Sequence, residues 1–296
     1  MPLSLFKDAR YFQIVFQSLF LLYGLEYLHW ETEWWLYSTY LATAFFTQIL
    51  CEAFLVKQTR HHLALWQKIT RGFPSVLITV FGLSLLLKTN LVSIAILAAF
   101  ISIISKYIFR INGKHIFNPS ALGIVIVLLL TNNAWISPAQ WGSNMVILFG
   151  TLSLGFIVVT RVQKLDVSLA FLGTFSLLLY VRQILYLHWP MDYFVQSVST
   201  GSLLLFSFFM ITDPKTTPNH PIIRIIWSIL IAAIAFYLAS FKFINGAPIY
   251  VLVFAQPLVP LLDKIFKAKK FEWQPPTLYS TKEKAFLKTV YHNLSL

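Results

Sequence analysis

The sequence predicts an all-α integral membrane protein with about ten transmembrane helices in two inverted five-helix repeats, each repeat containing a half-helix. Three observations predict it. First, the 296 residues are 57% apolar with mean hydropathy +0.70 and only 11% charged, which leaves too little polar surface for a soluble particle. Second, the apolar residues fall in runs of about 20, the length that crosses a hydrocarbon layer. Third, an Asn-Gly break beside a proline-bearing apolar run occurs twice, at 106–130 (KYIFRINGKHIFNPSALGIVIVLLL) and at 241–262 (FKFINGAPIYVLVFAQPLVPLL).

Taken in order, the expected spans are 11–28, 36–56, 73–87, 91–109, 119–131, 144–160, 165–187, 194–211, 222–240 and 249–262. The corresponding organisation is a cytoplasmic N-terminus (1–10), repeat one (11–131), repeat two (132–262) and a basic cytoplasmic tail (263–296). With the N-terminus inside, all of the 23 lysines and arginines except Lys88, Arg182 and Lys242 fall on the inner side. So asymmetric a distribution fits a bacterial cytoplasmic membrane with both termini cytoplasmic. Eight spans with two buried hairpins is the alternative arrangement. The outer loops carry Glu31 and Glu33, and Trp30, Trp34, Trp35, Trp135, Trp141 and Trp189 sit where an aromatic belt meets the headgroups. Lys7 and Arg10 before an apolar stretch imitate a signal peptide, but Gln13, Gln17 and the lack of a small-x-small site argue against cleavage. In the tail, Ser280-Thr281-Lys282-Glu283 has the form of a capping box. Phe286, Leu287, Val290 and Leu294 then share a helical face, which suits a basic amphipathic helix on the anionic inner leaflet or a partner-docking helix.

The two broken stretches are the expected site. A proline preceded by asparagine and followed by apolar residues starts a helix inside the membrane, where its free N–H groups face an anionic or carbonyl group. Asn112, Gly113, Asn118, Pro119 and Ser120 form one half; Asn245, Gly246 and Gln256 form the other. Gln256-Pro257 echoes Asn118-Pro119, so the helices are expected to meet tip to tip and leave a pocket between Pro119 and Pro257. A second polar island, 210–224 (MITDPKTTPNHPIIR), reads either as a rigid cytoplasmic turn or as a source of acceptors and hydroxyls from Thr212, Asp213, Thr216 and Thr217.

Other chemistry finds little support. One cysteine, Cys51, rules out an intrachain disulfide and a cysteine metal cage. His61, His62 and His115 sit among basic residues without carboxylates at ligand spacing, so no metal site is expected. The net charge of +12 is spread over loops and tail, which disfavours nucleic acid. No nucleophilic triad or phosphate-cradling loop is present. Glu52, near the inner end of the second span, is read as snorkelling, as part of a cation or proton path, or as a partner of Lys57 or Arg60.

The run Asn118-Pro119-Ser120-Ala121-Leu122-Gly123, the segment from Phe209 to Pro218, Gly246 and Pro260-Leu261-Leu262-Asp263 resemble the NqrB/RnfD family. These are the flavin-bearing membrane subunits of sodium-pumping NADH:quinone oxidoreductase and of the Rnf complex. The resemblance implies an inverted-repeat fold related to urea channels, a bound flavin (FMN or riboflavin), partner membrane or soluble redox subunits, and electron transfer coupled to ion movement. In that family a threonine in a Ser-Gly-Ala-Thr loop carries FMN covalently. The loop at 131–143 here reads TNNAWISPAQWGS and lacks that motif, so the flavin is expected to be non-covalent, as in a compact RnfD-like protein. Two other functions fit the same fold: a channel or carrier for a small neutral or anionic solute, and an assembly protein without cofactor.

Overall fold

The computed structural model describes residues 9–27, 30, 34–59, 65–111, 113–138, 155–156, 159–160 and 163–269. Asn112, Glu31, Glu33, His61, His62, Trp141, most of the expected sixth span and the tail helix lie outside the described residues.

Helices α1 (Ala9–Glu26), α2 (Trp34–Thr59) and α3 (Leu65–Leu86) lead into strand β1 (Leu87–Thr89) and helix α4 (Val92–Ile108). The two-residue strands β2 (Arg110–Ile111) and β3 (Lys114–His115) form a hairpin before α5 (Pro119–Leu130) and strand β4 (Ala134–Ile136). Helix α6 (Leu165–Tyr180) continues through a π-helical turn to Tyr186. Then follow α7 (Met191–Val198), α8 (Gly201–Leu205) with a π-helical turn Phe206–Met210, α9 (Pro221–Phe241), α10 (Ala247–Ala255), and α11 (Val259–Ile265) after a tight turn Gln256–Leu258.

Among the described residues, Leu165–Tyr186, Pro221–Phe241 and Ala247–Ile265 are long and apolar enough to cross a membrane. The pair Met191–Val198 and Gly201–Met210, bent by 45°, adds a fourth. Gly72–Leu86, Val92–Ile108 and Pro119–Leu130 are apolar but shorter. Helix α9 shows what its surroundings are. Its buried side is Trp227, Ser228, Ile231, Ala232 and Ala235, of which the small Ser228, Ala232 and Ala235 allow close packing on α6, whereas Ile226, Ile229, Leu230, Ile234 and Tyr237 point outward. A helix with apolar residues on its outer face and small residues inside is built for lipid, not water. The protein is a mostly helical, multi-pass membrane protein.

Two sets of contacts close the bundle at its ends. At one end β1 pairs antiparallel with β4, Leu87 opposite Ile136, and the Thr89 hydroxyl donates to Asn133 O at 2.7 Å. At the other, Lys114 Nζ donates to Asp263 Oδ2 (2.7 Å), Thr217 O (2.9 Å) and Asn219 Oδ1 (3.1 Å). Asp263 Oδ1 accepts from Asn219 N at 2.8 Å, Lys164 Nζ donates to Pro218 O, and Arg224 pairs with Asp166 at 2.5 Å. The segment 213–219 is therefore tied to the β2–β3 hairpin, to the start of α6 and to α11.

The short helices correct one expectation. They do not meet tip to tip around Pro119 and Pro257. Asn118, at the start of α5, meets Gln256, at the end of α10. Gly246, at the start of α10, packs on Ile136, beyond the end of α5. The two helices thus lie side by side and antiparallel. The cause is that α10 begins at Ala247, directly after the Asn-Gly break, with Pro248 in its first turn. Gln256-Pro257 falls inside the span, where a residue without N–H interrupts the ladder and tightens one turn.

Candidate functional site

A cavity of about 270 Å³ opens at the start of α5. Asn118 builds its floor. The residue before a proline is held extended, here at φ −65° and ψ 122°, so the asparagine sits at the N-cap with Pro119 as the first helical residue. Its Oδ1 accepts from Ala121 N at 3.1 Å and from the Ser120 hydroxyl at 3.0 Å, occupying donors that the first turn would otherwise leave open. Its own N–H donates to Gln256 Oε1 at 2.9 Å, which ties the helix start to the tight turn after α10. Gln256 is fully buried, and its Nε2 has no partner.

The facing wall comes from the π-helical turn and the segment that follows it. Phe208, Phe209, Met210, Thr212 and Asp213 all line the cavity. Phe208, Phe209 and Met210 belong to the π-helical turn itself, and Thr212 and Asp213 follow it. Asp213 Oδ1 accepts from Lys215 N at 2.9 Å, an Asx turn that starts the break. Burial raises the Asp213 carboxyl above the usual aspartate range, opposed by that N–H and by the charges of Lys215, Lys114 and Lys106.

The remaining walls bring polar groups from distant parts of the chain: Gln13 and Gln17 from α1, Gln48 and Glu52 from α2, Ser75 and Thr79 from α3, Lys106 and Tyr107 from α4, and His115 from β3. Glu52 accepts from the Tyr107 hydroxyl at 2.9 Å and from Gln48 at 3.4 Å. Lys106 Nζ donates to Ser75 O (2.9 Å) and to the Ser75 hydroxyl (3.2 Å). Gln17 is buried, and its Oε1 has no partner. The His115 imidazole is pushed down to about 4, first by burial and then by positive Lys106, Arg110 and Lys215, so it is neutral at pH 7.

Of the residues picked out in the sequence, Asn118, Pro119, Ser120, Thr212 and Asp213 meet in this cavity, with Gln256 directly behind Asn118. The Thr212 hydroxyl is turned back onto Phe208 O at 2.5 Å. Thr216 and Thr217 are buried in the turn: Thr217 donates to Ile211 O and Asp213 O, and Thr216 reaches Asp213 O at 3.5 Å. Gly113 is exposed at the tip of the β2–β3 hairpin with φ 76°. Asn245 is exposed too, and Gly246 lines a second cavity of about 290 Å³ with Ile136, Phe175, Phe206 and Ser202.

Gln17, Ser75, Lys106 and the phenylalanines of the π-helical turn were not picked out as site residues. Polar side chains at i and i+4 in an otherwise apolar α1, and a lysine in the last turn of α4, are the signals that point to them.

No curated protein matches the chain. Residues 129–272 match the sequence model of the NQR2, RnfD, RnfE family, a stretch that takes in Thr212–Thr217, Asn245, Gly246 and Gln256. The match and the motif resemblance coincide at residues 209–218, Gly246 and residues 260–263, so over residues 129–272 the chain is similar to the NQR2, RnfD, RnfE family.

Proposed function

We propose that this membrane subunit belongs to a redox-driven, ion-translocating electron-transport system and holds a flavin, FMN or riboflavin, non-covalently in the cavity at the start of α5. In this reading ten crossings form two inverted repeats, the end carrying Lys106, Lys114, Lys164 and Lys215 faces the cytoplasm, and further redox subunits dock on the chain.

The observation that carries the proposal is the composition of one cavity. Apolar side chains of Phe208, Phe209 and Met210 line it together with hydrogen-bonding groups from Asn118, Ser120 and Gln17. An isoalloxazine ring needs that combination: apolar faces to lie between and a few donors and acceptors at its pyrimidine edge. The unpartnered Gln17 Oε1 is the test of fit, since it lacks a donor and the imide N–H of the ring would supply one. About 270 Å³ lies just under the usual range of roughly 300–1,000 Å³ for ligand pockets, which suits one ring system with a short chain, not a dinucleotide. When bound, a flavin supplies one- and two-electron exchange. The protein's part is to keep the ring oriented, to exclude bulk water with the apolar wall, and to place Lys106 beside it.

The experiment is purification of the full chain in mild detergent. A visible flavin absorbance, stoichiometric with the chain and released on denaturation, is expected. Asn118→Ala and Asp213→Ala should each lose the flavin while the protein stays folded in the membrane. Wild-type occupancy in both variants would refute the site, and a colourless wild type that moves solute into liposomes would favour a carrier.

A further inference from the structure

We infer that Lys106 sets the redox preference of this cavity, holding the reduced, negatively charged state of the ring more tightly than the oxidised, neutral one. The inference rests on the flavin reading above. Lys106 lies in the last turn of α4, where the helix dipole favours a cation, and is 5% exposed. An ammonium has three N–H donors and no acceptor. Two of them go to Ser75 O and Oγ, both neutral, and one is left for the cavity that Lys106 lines.

Its carboxylate neighbours are engaged elsewhere. Glu52 takes the Tyr107 hydroxyl and Gln48, and Asp213 takes Lys215 N. Among the described residues Lys106 makes no ion pair, in contrast with Lys114 and its 2.7 Å contact to Asp263. The other charges on the cavity wall, Arg10, Arg110 and Lys215, are positive as well. Asp213 attracts Lys106 without contacting it and is shared with Lys114 and Lys215, so burying this cation is costly, and a ligand group that gains negative charge offsets that cost.

Two electrons from a redox partner and one proton from solvent leave the isoalloxazine with a single negative charge, concentrated at its pyrimidine side. A fixed cation near that side is among the ways a protein tunes this cofactor. Lys106 acts here as a positioning charge: no bond to it forms or breaks.

The test is a potentiometric titration of the detergent-solubilised full chain with dithionite as reductant. Lys106→Met should keep its flavin and shift its midpoint downward by at least a tenfold loss of preference for the reduced state, about 30 mV for a two-electron couple. Lys106→Arg should recover most of the shift. A flavin-loaded Lys106→Met chain with the wild-type midpoint overturns the inference. In case that variant does not fold, the wild-type chain stripped of cofactor is titrated with riboflavin in each oxidation state. Reduced riboflavin binding at least tenfold tighter supports the inference, and equal affinities overturn it. A wild-type chain that binds neither form sinks the flavin reading and this inference together, whereas a loaded chain with equal affinities sinks this one alone.

Discussion

Helices α5 and α10 lie antiparallel against each other, yet their first turns are built by different means. Helix α5 starts at a side chain: Asn118 caps the turn, and its own N–H is taken by Gln256. Helix α10 starts at a backbone conformation: Gly246 is left-handed at φ 69° and no side chain caps the turn. The first start opens into a cavity lined by Lys106, Asp213, Glu52 and His115; the second opens into one lined by Phe175, Leu179, Phe206 and Ile249. Two proline-bearing helix starts that look alike in sequence therefore differ in both backbone geometry and chemistry. Charge and hydrogen-bonding capacity gather at the α5 side, which is where a polar ligand edge finds partners.

The comparison can be broken by changing each start. Gly246→Val should have the largest effect. It places a β-branched residue at positive φ and drives it into Ile136, a cost of roughly 2–5 kcal/mol by denaturant unfolding in detergent. Gly113→Ala is its control: φ is 76° there as well, but nothing lies within 4 Å, so only the conformational part, about 1 kcal/mol, remains. Equal losses in the two variants would refute the packing argument.

A smaller effect is expected at the other start. Gln256→Leu removes the acceptor of Asn118 N and leaves that buried N–H unsatisfied, at a cost of about 1–3 kcal/mol. Flavin content should fall with it, because the floor of the cavity moves. Unchanged stability and content would mean that the two helices are positioned by packing alone.

The smallest effect depends on pH. His115 titrates near 6.5 when unfolded and near 4 in the folded chain, so the unfolded chain binds its proton first as the pH falls. Its contribution is complete above about pH 6.5 and is lost as the pH drops toward about 4. Thermal unfolding of the wild type should show that slope, and His115→Gln should flatten it. A His115→Gln chain with the wild-type slope would assign the pH dependence to other groups.

Much of this was legible in the sequence. The apolar runs at 91–109, 119–131, 165–187 and 222–240 match helices within a few residues, because hydropathy and length alone decide them. Asn118-Pro119 and Asp213-Pro214 were legible because the residue before a proline and an Asx turn are local constraints. The relative placement of the short helices was not. Gln256-Pro257 looks like Asn118-Pro119 as a dipeptide, but only the residues before it show that a helix is already under way. Gln17 and Lys106 were legible as polar side chains in apolar helices, but nothing local says that α1 and α4 turn them toward one space. Thr216 and Thr217 show the converse, hydroxyls that suit a ligand on paper and are consumed by their own turn.

The tie between Lys114 and Asp263 joins residues 149 positions apart. During synthesis the hairpin that carries Lys114 leaves the ribosome long before its carboxylate does. The tie that holds the segment 213–219 to the β2–β3 hairpin therefore cannot be complete until α11 has been made, although the hairpin itself was made long before.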